Sequence, residues 1–142
     1  MKELNTQLLK FKENSLIFNE KQLKEIQLGL EKGVDVSIYA KPEFDWEQMN
    51  QITIGLMQDL DVSKYADVKY SGAQMCQIRL GLLSGLDVSK YADPKLSSKE
   101  MKEINRKLFW LSIKDKKYRT LFRRCIRQKL SPKKKGNYEM IK

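Results

Sequence analysis

The stretch TIGLMQDLDVSKYA, residues 53–66, has two close copies at a fixed distance in the same chain: QLGLEKGVDVSIYA at residues 27–40 and RLGLLSGLDVSKYA at residues 79–92. Extended in both directions, the match defines gapless repeats of 26 residues at 18–43, 44–69 and 70–95. Nine positions are identical in all three: Gln22/Gln48/Gln74, Ile26/Ile52/Ile78, Gly29/Gly55/Gly81, Leu30/Leu56/Leu82, and five of the six in the block Asp35-Val36-Ser37-x-Tyr39-Ala40. A fixed period in this range marks stacked supersecondary units, none of which can bury its apolar face alone.

Each repeat carries the signals of one long and one short helix. Asn19, Asp45, Ser71 and, in a partial fourth copy, Ser97 follow an aromatic or aliphatic residue and suit the N-cap. The pattern predicts a helix over 20–32 and its equivalents, closed at Gly33, Asp59 or Gly85 in a left-handed conformation. Glycine suits that cap better than Asp59 does. The Asp-Val-Ser-x-Tyr-Ala block then reads as a short capped helix, its aspartate accepting amide hydrogen bonds and its valine and tyrosine turned inward. Pro42 and Pro94 end it.

On a helical wheel Gln22, Leu23, Ile26, Gly29 and Leu30 share one arc, the expected core face. A glycine inside that arc costs about 1 kcal/mol of helix propensity, so its expected use is close approach of the short helix. Leu28, Ile54 and Leu80 form a second apolar row, expected to meet the neighbouring repeats. Positions 20, 24, 27 and 31 lie within about 60 degrees of one another and vary freely: Glu20-Lys24-Gln27-Glu31, Trp46-Asn50-Thr53-Met57, Gly72-Cys76-Arg79-Leu83, Ser98-Lys102-Asn105-Phe109. A variable face on a repeat framework is either plain solvated surface or the place where binding specificity is written. Large apolar side chains on it favour the second use, and Trp46, Met57, Arg79 and Leu83 are the expected partner-binding residues.

The expected fold is therefore all-α: a solenoid-like array of helix plus short-helix repeats with a basic amphipathic C-terminal helix. Residues 1–17, with Leu4, Leu8, Leu9, Phe11 and Leu16, form an N-terminal cap; 18–113 hold three full repeats and one partial one; 114–142 are a basic helix and tail. In the fourth copy Lys107 replaces the repeated glycine and the short-helix block is missing, so the array ends there.

The repeat phrases EKQLKEIQLGLEKGVDVSIYAKPEF and MCQIRLGLLSGLDVSKYADPKLSSKEM resemble the short helical repeats carried by accessory proteins of Firmicutes mobile elements and phages. The resemblance covers about residues 18–110. It implies a helical interaction module associated with mobile DNA and transfers no catalytic or ligand residue. In that setting the expected function extends to inhibition of a host-defence complex of the CRISPR type.

Composition narrows the chemistry. The 142 residues are 41% apolar and 32% charged, ordinary for a globular chain. Histidine is absent, which removes imidazole acid–base work, His-dependent nucleophilic systems and His-ligated metals. There is no phosphate-binding glycine loop and no isolated carboxylate pair, so no catalytic residue, cofactor or metal ligand is assigned. Cys76 and Cys125 read as free thiols. No stretch suggests a membrane span or a signal peptide, and the expected location is the cytoplasm.

The net charge of +10 is concentrated at one end. Residues 1–113 hold 16 basic and 16 acidic side chains, whereas residues 114–142 hold 12 basic and 2 acidic ones. Tyr118, Leu121, Phe122, Cys125 and Ile126 fall on one side of a predicted helix, with Lys116, Lys117, Arg119, Arg123, Arg124 and Arg127 on the other; Lys133, Lys134 and Lys135 follow. Such a face suits phosphates or acidic partners, since arginine offers a bidentate fork; an anionic membrane surface and mere solubility are the competing uses. The leading expectation is non-catalytic binding of a protein or nucleoprotein complex through the repeat face and the basic tail. Its alternative is direct nucleic-acid binding through residues 114–135.

Overall fold

The computed structural model describes residues 2–13, 17–114, 120, 123 and 124. Five α-helices run through them, α1 (Lys2–Glu13), α2 (Glu20–Lys32), α3 (Trp46–Met57), α4 (Gly72–Leu83) and α5 (Ser98–Lys114), with short 3-10 helices at Val36–Ile38, Val62–Lys64 and Val88–Lys90. No strand occurs among the described residues. By contact the chain divides into Met1–Asn105 and Arg106–Lys142. In the first unit α1 contacts α2, α2 contacts α3 and α3 contacts α4, each in sequence order.

Every repeat helix begins with the same device. The Asn19 side chain accepts from the Gln22 amide at 2.9 Å while the Asn19 amide donates to Gln22 Oε1 at 2.8 Å. Asp45 with Gln48, Ser71 with Gln74 and Ser97 with Glu100 repeat this capping box. In the three full copies the glutamine has a second use. Its Nε2 donates to the carbonyl that precedes the next helix start: Gln22 to Phe44 at 2.7 Å, Gln48 to Tyr70 at 2.6 Å and Gln74 to Leu96 at 2.7 Å. The identical glutamine thus fixes its own helix terminus and the loop 22 residues on. Glu100, which has no amide N–H to give, can make only the first of these bonds.

The helix ends follow the predicted left-handed cap. Gly33 and Gly85 both have φ of 72°, and Asp59, at φ 58°, is the one described non-glycine residue in that region. Behind each cap the amides of Val34, Leu60 and Leu86 return to the carbonyls of Gly29, Gly55 and Gly81 at 2.9–3.1 Å.

The chain then turns the Asp-Val-Ser-x-Tyr block back onto its own helix. Ser37, Ser63 and Ser89 amides donate to the aspartate Oδ1 two residues earlier at 3.1–3.2 Å, which starts the 3-10 turn. For Asp87 the Ser89 hydroxyl and then its amide hold the carboxyl below the usual carboxylate range. Valine and tyrosine go inward: Val36, Val62 and Val88 are buried, and Tyr39, Tyr65 and Tyr91 almost completely so. Together with Ile26, Ile52, Ile78, Met49, Met75, Met101 and the pre-cap residues Phe18, Phe44 and Tyr70 they form the core.

The repeated glycine makes this seam possible. A Cβ on Gly55 would stand 1.9 Å from Tyr65 Oη and 2.8 Å from Val62 Cγ1, and the same clash recurs at Gly29 and Gly81. Into that space each tyrosine places its hydroxyl, which donates to the helical carbonyl 14 residues earlier: Tyr39 to Glu25 at 3.3 Å, Tyr65 to Gln51 at 2.7 Å and Tyr91 to Gln77 at 3.0 Å. Burial raises the tyrosine pKa in all three, to about 12 for Tyr91.

At the N-terminal end α1 has no buried residue. Its Phe11 meets Phe18 edge-on at 6.2 Å, Leu4 and Leu8 are half-buried, and Leu9 is exposed. Leu16 lies outside the described residues.

Candidate binding surface

The variable arc does not face outward as a whole. Its third position turns toward the preceding repeat in α3 and α4. Thr53 is completely buried and Arg79 is 9% exposed. Each of positions 53, 79 and 105 sits beside the tyrosine of the block before it: the Thr53 hydroxyl neighbours Tyr39, the Arg79 charge acts on Tyr65, and Asn105 Nδ2 donates to Tyr91 Oη at 3.1 Å. One position earlier in the arc, Asn50 Nδ2 reaches the Glu25 carboxylate at 3.2 Å. The row expected to meet the neighbours lies more open, with Leu28 and Ile54 half-buried and Leu80 38% exposed. The arc expected to face outward is thus in part a contact with the preceding repeat. A helix held against its own short helix on one side and the previous repeat on another has two buried faces, and a wheel drawn for one repeat locates only the first.

Among the expected partner residues the structure makes a clear division. Met57 and Leu83 occupy equivalent sites at the C-terminal ends of α3 and α4 and are 49% and 43% exposed. Trp46 opens α3, and the 11 residues separating it from Met57 correspond to about 16 Å of helix. Its ring is partly covered by Lys21 Nζ at 5.1 Å from the centroid. Arg79 is engaged within the protein: Nε donates to Gln51 Oε1 at 2.9 Å, Nη1 to Gln58 Oε1 at 3.0 Å and Nη2 to Cys76 Sγ at 3.9 Å. Its position in the repeat gave no sign of this, because the partners lie 21 and 28 residues away. At the first arc position of α4, Gly72 is buried against Glu47, which a Cβ would strike at 2.7 Å.

Of the basic-tail candidates, Arg123 and Arg124 are helical and exposed. Lys116, Lys117, Arg119, Arg127, Lys133, Lys134 and Lys135 lie outside the described residues, as does Cys125. Among the described residues no three metal-ligating side chains gather, and no helix is long and apolar enough to cross a membrane. Comparison with known proteins returned no matching family model, no similar curated protein and no similar solved structure.

Proposed function

We propose that this chain is a non-catalytic binding protein whose repeats stack in a solenoid-like array and engage a protein or nucleoprotein partner through the open repeat surface and the basic tail. The observation that carries the reading is the pair Met57 and Leu83, large apolar side chains left open at equivalent sites of adjacent repeats. Scattered exposed leucines are common, whereas adjacent ones on a tightly tied framework favour a contact. A setting in a mobile element or phage and inhibition of a CRISPR-type complex rest on the resemblance of the repeats, and the cytoplasm is the proposed location. The test is capture from lysate with and without nuclease. Changing Trp46, Met57 and Leu83 together to Ser is expected to abolish nuclease-resistant capture with the circular dichroism spectrum unchanged, because apolar anchors dominate interfaces. Capture that survives the triple change would overturn the repeat-face reading.

The 12 basic and 2 acidic side chains of residues 114–142 favour a second reading, direct nucleic-acid binding. Its mark is a steep fall in affinity as salt rises from roughly 50 to 200 mM. A salt-indifferent affinity would exclude it.

A further inference from the structure

We propose that the junction of α3 and α4 is a docking site for an acidic protein segment, in which a partner carboxylate flanked by apolar side chains pairs with the Arg79 guanidinium. The proposal rests on the binding function above and specifies the chemistry of its partner. Arg79 is almost buried, yet its acceptors are two amide oxygens, of Gln51 and Gln58, and the Cys76 sulfur at 3.9 Å, with no carboxylate among them. The ion pairs among the described residues, Lys24 with Glu20 and Lys69 with Asp67, do not involve it. Amide oxygens satisfy N–H groups but leave the net charge in place, and the nearby C-terminus of α3 offers only a partial negative charge. Buried charges in proteins are ordinarily paired. This one has its counter-charge still to come.

The site is also reachable. The hydrogen bonds of Arg79 are part-buried, and Gln58, at one end of the fork, is exposed. Open apolar side chains lie along the same faces: Leu83, one turn on from Arg79 in α4, and Met57, next to Gln58. A carboxylate can accept from the guanidinium N–H groups that these three bonds leave over, while its apolar neighbours cover Leu83 and Met57. Charge complementarity selects this occupant over two others. The chain's own tail, with 12 basic and 2 acidic side chains over residues 114–142, is of the wrong sign for this site. A phosphate backbone needs several cations, whereas no second cation is among the side chains that hold Arg79.

The experiment is selection from a display library of short random peptides on the full-length chain and on its Arg79→Met variant, which exchanges the buried charge for apolar volume. The parent is expected to enrich peptides with Glu or Asp between large apolar residues, binding at least about tenfold more tightly than their Glu→Gln twins. Arg79→Met is expected to lose that tenfold preference. In the parent, the selected peptide should shift the NMR resonance of Arg79 Nε–Hε. A pool without acidic residues, twins of equal affinity, or no enrichment at all would overturn the proposal. Should Arg79→Met fail to fold, the resonance and the twins decide the matter without it. A short oligonucleotide that moves the same resonance with equal affinity would reassign the site to phosphate and overturn the acidic partner. Peptide binding with the Arg79 resonance unmoved removes this site while leaving the general binding function standing.

Discussion

Within a repeat the seam between long helix and short helix is built from identical residues every time, whereas the junction between repeats is built from different ones. At the seam, Gly55, Val62 and Tyr65 meet as Gly29, Val36 and Tyr39 do, with the clash distances agreeing to about a tenth of an ångström. At the junction, the tyrosine hydroxyl faces threonine, then arginine, then asparagine. The difference lies in what each contact demands. A glycine that admits a phenol has no substitute, because any Cβ occupies the volume of the hydroxyl. The rim of that seam makes no such demand: Asn105 donates to Tyr91 Oη, whereas Thr53 gives its hydroxyl hydrogen to the Met49 carbonyl and Arg79 its N–H groups to Gln51, Gln58 and Cys76, so several side chains serve.

Three tests can break or sharpen this contrast. Alkali acts on all three seams together and is expected to have the largest effect. Tyr39, Tyr65 and Tyr91 have pKa values raised by burial, so folding favours their neutral form. Their stabilisation is complete below pH 10, the ordinary tyrosine value, and is lost as pH rises through the folded values, about 12 for Tyr91. Absorbance at 295 nm is therefore expected to show these phenols ionising together with loss of helical ellipticity. Ionisation near pH 10 with the helices intact would mean that the seam is open to water.

The next effect concerns a single seam. Gly55→Leu drives a side chain into Tyr65 and Val62 and is expected to cost on the order of 3 kcal/mol, read as a lowered urea midpoint. An unchanged midpoint would contradict the seam outright. Smallest is the junction. Thr53→Val keeps the shape and removes a hydroxyl that donates to the Met49 carbonyl at 2.8 Å, at an expected cost of about 1 kcal/mol. Equal losses at Gly55 and Thr53 would erase the distinction between seam and junction.

Much of the framework is legible in the chain before any coordinates. The period marks the units, the caps fall at Asn19, Asp45 and Ser71, and the repeated glycine is readable as a point of close approach. The left-handed Asp59 was legible too, because its copies are Gly33 and Gly85. The second use of Gln22, Gln48 and Gln74 was not, although their identity in every copy was a signal that burial alone would not require.

What the sequence by itself determined is the content of each repeat: which residues cap, which go inward, and where the helix must be bare. Those are local matters, fixed by φ preference, hydrogen-bonding capacity and a 3.6-residue period. What only the tertiary structure decided is the direction in which the next repeat lies. That direction buries Thr53 and Arg79 and leaves Met57 and Leu83 open. It depends on how the 3-10 turn and the glutamine-bound loop rotate one helix against the next, through contacts 14 to 28 residues apart that a wheel drawn for one helix does not contain.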